Sequence, residues 1–190
     1  APQDQKYSDE KTITVIGNNV VIRESVTINR GTIAHGKTVI GNNVLLMACA
    51  HIAHDCLVGE NTTMANVATL GGHVQLGECV NLGGGVMVHQ FGKIGSHAFV
   101  GGGYRAVQDV PPFIIAAGEP LRFGGINKIG LQRRGFSDEK RALIKKAYRT
   151  YFVSKINRTD ALNKIKSELP ATDEIKEIVQ FIENSERGII

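Results

Sequence analysis

From Ile16 to Ala106 an aliphatic or alanine residue recurs at every sixth position, through sixteen consecutive hexads without an insertion. The next residue is often glycine, as in Ile16-Gly17, Ile40-Gly41, Val58-Gly59, Leu76-Gly77 and Ile94-Gly95. Four places after the aliphatic stands a small or β-branched residue, as at Val20, Thr32, Thr38, Val44, Cys56, Val74 and Val86. A helix cannot use this period, because successive apolar positions would turn about 240° around its axis and leave no continuous face. Short strands joined by tight turns can. The large and the small residue then both point inward, and Gly or Asn supplies the turn conformations. The chain is therefore read as mainly β, a parallel β-helix of hexapeptide repeats over residues 16–111.

In known solenoids of this type three hexads close one triangular coil of about 18 residues, wound left-handed against the usual crossover preference. On that geometry residues 16–111 make a little over five coils, and residues 1–15 are a loop leading in. The runs Gly83 to Gly85 and Gly101 to Gly103 read as turns and close backbone approaches; neither sits between a strand and a helix as a phosphate loop must. Val110-Pro111-Pro112 punctuates the end of the repeat, and residues 112–136 are expected as a connecting loop. A C-terminal α-helical subdomain follows over residues 137–190. Ser137 caps a first helix with Leu143, Ile144, Ala147, Tyr148, Tyr151 and Phe152 on one face. Thr159 begins a second that ends at Pro170, and a third runs from about Thr172 to near Gly188. The tail is expected to cap the open end of the solenoid.

No apolar run approaches the roughly 18 to 20 residues that cross a bilayer. The polar start APQDQKYSDEK lacks an initiating Met and a signal-peptide core, so a soluble chain that begins partway into a longer one is expected. Cys49, Cys56 and Cys79 are odd in number, lie in apolar stretches and form no CxxC; they read as reduced, buried thiols of a cytoplasmic protein. The net charge of +4 is uneven: residues 122–158 hold 11 basic and 2 acidic side chains. Such a segment suits phosphate or an acidic partner, or is a solvated helix face, and nothing in it calls for nucleic acid.

Residues 18 apart stack on one face, so the hexads starting at 34, 52, 70, 88 and 106 form a column that contains His35, His54, His73 and His89. In that register His73 lies above Asp55, Gly72 above His54 and Gln90 above Gly72, within one or two spacings of about 4.8 Å. An imidazole, an adjacent carboxylate and an unshielded backbone amide are the parts of a general-base acyl-transfer site. Zinc is the competing reading, with three imidazoles from adjacent coils as in hexapeptide carbonic anhydrases. His54 is followed by Asp55 and overlain by Gly72, so no third imidazole stacks above it, and neither metal nor cofactor is expected.

The segments HIAHDCLVGE at 51–60, LGGHVQLG at 70–77 and VHQFGKIG at 88–95 resemble the UDP-N-acetylglucosamine acyltransferases that begin lipid A synthesis. The similarity extends to PQDQKY at 2–7, IRESVTINRGT at 22–32, QDVPPF at 108–113 and GLQRRGFS at 130–137. The resemblance implies a homotrimer with active sites between neighbouring subunits. It implies transfer of an (R)-3-hydroxyacyl group from acyl carrier protein to the glucosamine 3-hydroxyl of UDP-N-acetylglucosamine. His54 matches the family's base, Asp55 its orienting residue and the Gly72 amide its oxyanion donor. His51, His73, His89, Gln90, Gln3, Asp4 and Lys6 match substrate-contacting positions, and Arg133 and Arg134 match the basic pair near the nucleotide phosphates. Gly102 falls where the family selects acyl-chain length, but the loop GEPLRFGGINKIG at 118–130 departs from the commonest versions, so the preferred length does not carry over. Family members carry further coils before the PQD motif, which this chain lacks. Two alternatives stand beside this reading: the related N-acyltransferase of lipid A synthesis, and a non-catalytic hexapeptide scaffold.

Overall fold

The computed structural model describes residues 1–190. Fifteen short strands build the repeat: β1 (Ile13–Ile16), β2 (Val21–Ile22), β3 (Thr27–Ile28), β4 (Lys37–Ile40), β5 (Leu45–Leu46), β6 (His51–Ile52), β7 (Leu57–Val58), β8 (Thr63–Met64), β9 (Thr69–Leu70), β10 (Gln75–Leu76), β11 (Asn81–Leu82), β12 (Met87–Val88), β13 (Lys93–Ile94), β14 (Phe99–Val100) and β15 (Arg105–Ala106). Every third strand pairs in parallel, giving three faces: β1-β4-β7-β10-β13, β2-β5-β8-β11-β14 and β3-β6-β9-β12-β15. The result is a parallel β-solenoid. The inward aliphatics Ile40, Leu46, Ile52, Met64, Leu70, Leu82 and Val100 are fully buried, as are Val44, Ala50, Cys56, Val74 and Val86 four places on.

Each corner turns on one residue in the left-handed region, and the series Asn43, Cys49, Asp55, Asn61, Val67, His73, Cys79, Gly85, Phe91, His97 and Gly103 keeps the six-residue period. Most of these carry a side chain. The strain of a positive φ at Val67 or Phe91 is borne by the coils stacked above and below, which hold the turn at both ends. Cys49 occupies such a corner and is exposed, which corrects its reading as a buried thiol; Cys56 and Cys79 are buried and free.

The coils are not uniform. From β4 to β15 each step is 18 residues, as in Leu57 paired with Gln75 and Gln75 with Lys93, and the last step, Phe99 on Ile115, is 16. The first step is 24, with Ile13 on Lys37, Val21 on Leu45 and Thr27 on His51. The extra six residues, 31–36, leave the solenoid between β3 and β4 as an excursion. Ile28, not Ala34, therefore lies beneath Ile52, and the expected membership of the hexad at 34 and of His35 in the column is overturned. Because 24 is a multiple of six, the excursion leaves the hexad phase intact. Its neck is narrow: a Cβ on Gly31 would lie 2.2 Å from the Lys37 nitrogen.

The proline pair does not end the solenoid. Prolines supply no N–H, yet a corner needs none there, and the chain continues into β16 (Ile114–Ala117), which adds to the second face beside β14. β17 (Arg122–Ile126) returns antiparallel to β16, and α1 (Lys128–Arg133) follows, so the stretch expected as a connecting loop holds a hairpin and a helix. Ser137 caps α2 (Asp138–Tyr148). A π turn at Arg149–Val153 leads to α3 (Arg158–Glu168), capped by Asn157 and so beginning just before Thr159; Thr172 caps α4 (Asp173–Glu183), which stops short of Gly188. Tyr148 is fully buried, donates its hydroxyl to the Pro112 carbonyl at 2.6 Å and packs beside Phe123 and Phe152. α4 instead flanks the first face, where Lys93 donates its ammonium to the Asn184 carbonyl at 2.9 Å. The buried Asp109 carboxylate accepts from the Lys93 amide at 2.8 Å and the Ser185 hydroxyl at 2.6 Å, fastening the end of the chain to the last coil. No helix is long and apolar enough to cross a membrane.

Gly31→Ala forces the neck open against main-chain atoms that have no room to yield. The expected outcome is destabilisation by about 1–3 kcal/mol, read from the urea midpoint, whereas Gly36→Ala, whose Cβ meets nothing within 4 Å, loses only what its positive φ demands.

Candidate active site

The corner between the third and first faces holds the candidate site. His54 and Asp55 form it between β6 and β7, and Gly72 and His73 form the next one up, one coil later. The His54 ring Nδ1 lies 2.8 Å from Asp55 Oδ2. Its other side faces Gly72: a Cβ there would sit 2.7 Å from His54 Cε1 and 2.8 Å from Nε2, so glycine keeps the second nitrogen clear. The Gly72 N–H donates to no protein acceptor, and its carbonyl accepts from Phe91 at 2.9 Å.

Asp55 is 1% exposed. Burial pushes its carboxyl up, but hydrogen bonds from Thr32 and His54 outweigh that and hold it below the usual carboxylate range. His73 packs edge-on against His54 and His35 and stacks on Phe91 at 4.5 Å between ring centroids. Burial, the largest influence, holds His73 below its ordinary value, with Asp55 pulling the other way. Burial also lowers His51, whose Nδ1 lies 2.7 Å from the Thr27 hydroxyl, and His97.

The corner gathers most of the expected site. His89 and Gln90 lie one coil above Gly72, exposed, with the His89 Nδ1 3.0 Å from the Gln90 carbonyl. Asp4 and Lys6 line a depression beside Thr32, His73 and Phe91, while Gln3 is exposed. Other residues stand apart. Arg133 and Arg134 are exposed at the end of α1, and the Arg134 charge is felt by Cys79 and His97 on the corner between the first and second faces. Gly102 sits at the third corner, where a Cβ would come 3.0 Å from the Gly84 carbonyl. Sequence reading missed Thr27, Thr32 and Phe91: the threonines sit across the 24-residue step, and Phe91 stands at a corner, outside the inward positions of the hexads.

Two groups place three potential metal donors within 4.8 Å: His54, Asp55 and His73, and Glu78, Cys79 and His97. In the first, His54 Nδ1 and Asp55 Oδ2 are already engaged with each other. In the second, burial pushes the Cys79 thiol up and so disfavours the thiolate, against the pull of Arg134, whose positive charge in turn repels a cation.

A parallel solenoid of six-residue rungs with an imidazole–carboxylate pair at one corner has the architecture of the hexapeptide-repeat transferases, and the family described as bacterial transferase hexapeptide (six repeats) matches residues 37–72. The second domain of UDP-N-acetylglucosamine O-acyltransferase matches residues 109–190. The chain belongs to the UDP-N-acetylglucosamine O-acyltransferase family. The acyl-[acyl-carrier-protein]–UDP-N-acetylglucosamine O-acyltransferase of Burkholderia lata is 42% identical over 194 residues, covering 100% of this chain and 74% of that protein. The Thiobacillus denitrificans protein of the same name is 42% identical over 191 residues, with the same coverage. The solved UDP-N-acetylglucosamine O-acyltransferase of Moraxella catarrhalis superposes with a TM-score of 0.94 at 39% identity, over 100% of this chain and 74% of that one. The Francisella novicida UDP-N-acetylglucosamine acyltransferase gives 0.94 at 35%, over 100% and 70%.

His51, His73 and His97 bind a proton less readily folded than unfolded, so the unfolded chain gains protons as pH falls through about 6.5. The stability they contribute is present above that pH and lost below it, and Asp55 adds a loss in the same direction at lower pH. The melting temperature should therefore fall steadily from pH 7.5 to pH 5; a flat or rising profile would contradict the neutral histidines.

Proposed function

We propose that the chain transfers an (R)-3-hydroxyacyl group from acyl carrier protein to the glucosamine 3-hydroxyl of UDP-N-acetylglucosamine, at the start of lipid A synthesis, with His54 as general base. The observation that carries the role of His54 is its Nδ1 at 2.8 Å from Asp55 Oδ2, with Gly72 against the opposite nitrogen. Nδ1–H donated to an ionised carboxylate leaves the lone pair on Nε2. That nitrogen takes the sugar hydroxyl proton as the oxygen attacks the thioester carbonyl. The Gly72 N–H receives the oxyanion, and collapse expels the carrier's thiolate, which takes the proton back from His54. The step needs no covalent intermediate, metal or cofactor. The related N-acyltransferase and the scaffold readings are less well supported, since the matched relatives are named as O-acyltransferases.

The working unit is a homotrimer in this proposal. What supports it is the separation of Arg133 and Arg134 from His54 by the whole width of the first face, so that a second copy must bring phosphate-binding cations to the dyad. The free thiols, one of them exposed, fit the reducing cytoplasm. Lys145, Lys146 and Arg149 gather on one side of α2 and its π turn and make no ion pair, unlike Lys140 and Arg141, which pair with Glu174 and Asp138. An unpaired cationic ledge of this kind suits an acidic carrier protein.

His54→Ala should lose about 10²- to 10⁴-fold in kcat/KM while staying folded. Arg134→Ala should raise the KM for the nucleotide sugar. If the site is shared between chains, co-expressed His54→Ala and Arg134→Ala chains show, at nucleotide sugar well below the raised KM, more activity than the two variants made separately; no gain on co-expression sinks the shared site. Neutralising Lys145, Lys146 and Arg149 together should weaken use of the carrier protein at low salt, with the difference fading at about 0.15 M, where screening acts over roughly 8 Å. Unchanged carrier use at low ionic strength leaves those charges as a solvated face.

A further inference from the structure

The excursion at residues 31–36 ends its reach on the catalytic corner. Thr32 is buried, and each of its polar atoms is engaged. Its N–H is shared between the Asp55 oxygens at 2.9 and 3.1 Å, and its hydroxyl donates to Asp55 Oδ2 at 2.7 Å. The same hydroxyl accepts from the Ala34 amide at 3.3 Å, and the Thr32 carbonyl accepts from the Gly36 amide at 2.7 Å. Asp55 Oδ2 thus receives the Thr32 hydroxyl and His54 Nδ1 together, while the Asp55 amide donates to the Thr38 hydroxyl at 2.8 Å. Asp55 is a corner residue with φ 60°, and no other side chain but His54 hydrogen-bonds its carboxylate. Without Thr32 the carboxylate is free to rotate away from the imidazole, and the proton on Nδ1 has no fixed acceptor.

We propose that Thr32 is a positioning residue for the acyl transfer, holding Asp55 so that His54 keeps its proton on Nδ1 and its lone pair on Nε2. This rests on the reading of His54 as the base. It also gives the six-residue excursion a purpose: it brings the Thr32 amide and hydroxyl to the Asp55 carboxylate from below.

The test uses Thr32→Val, which keeps the shape and removes the hydroxyl, and Thr32→Ser, which restores it. Thr32→Val should lower kcat by about 10- to 100-fold with the KM for UDP-N-acetylglucosamine within about twofold, and Thr32→Ser should recover most of the loss. In an Asp55→Ala background, Thr32→Val should change kcat by less than about twofold, because its effect passes through a carboxylate no longer present. Nitrogen-15 spectra of histidine-labelled protein should show a single His54 tautomer protonated at Nδ1 in the parent chain and a mixture in Thr32→Val. Parent-like kcat in Thr32→Val, beside an inactive His54→Ala, overturns the clamp and leaves the base intact. An equal loss in the Asp55→Ala background also overturns it, by showing that Thr32 merely packs the loop. Near-parent turnover in His54→Ala removes the base, and the clamp with it.

Discussion

Everything in this molecule hangs on the hydrogen-bonded register between successive coils. Each strand is only two to four residues long through the repeat, too short to hold its place alone, yet each is pinned above and below by parallel partners. With spacing of about 4.8 Å and an 18-residue step from β4 to β15, each strand side chain there has a defined neighbour one coil away. Inward positions stack into one apolar column, and corner positions stack into edges. His54 under Gly72 and Asp55 under His73 follow directly from that step, so the His54–Asp55 pair owes its place in the stack to main-chain pairing. Rigidity of this origin is what the proposed general base needs, because a small misplacement of its lone pair forfeits much of the rate.

The 24-residue step sits at the candidate site. Six residues leave the stack at one corner, pinched at Gly31 and Lys37, and return in phase. Closing so short a loop costs little beyond the constraint at its neck. In return a buried carboxylate receives the amide and hydroxyl of one residue, which together with His54 hold it below the usual carboxylate range despite burial. The depression it helps to form also takes in Asp4 and Lys6 from the start of the chain, which brings both signs of charge to the approach of His73.

At the other end, the helices divide their labour. α2 closes the top of the solenoid through Tyr148, while α4 lies along the first face and the chain terminus is fastened by Asp109 and by Arg158, whose guanidinium donates to the Ile189 and Ile190 carbonyls. This arrangement sets Arg133 and Arg134 beside the second corner. A prism has three edges, and one chain places His54 and Asp55 on one, Arg134 beside the next and Gly102 on the third.

The solenoid was legible in the sequence because its inward positions repeat every six residues and burial enforces that pattern at each rung. The His54, Asp55 and Gly72 stack was legible too, since all three lie in the stretch where the step is 18. The length of the first step was not: an insertion of one whole hexad preserves the phase, so Ala34 looked like a core residue although it is exposed, and His35 looked like a member of the column although it packs from a loop. Continuation past Pro111 and Pro112 was hidden as well, because those prolines stand at a corner, where their missing N–H has no strand to break. The hexad period, then, determined the fold and the stacking of His54 and Asp55 beneath Gly72 and His73, through burial repeated locally along the chain. What only the tertiary structure decided was the clamp on Asp55 and the distance of the arginine pair from His54, because both depend on which residues lie opposite each other across a 24-residue step and around a corner, and no local pattern in a chain records that.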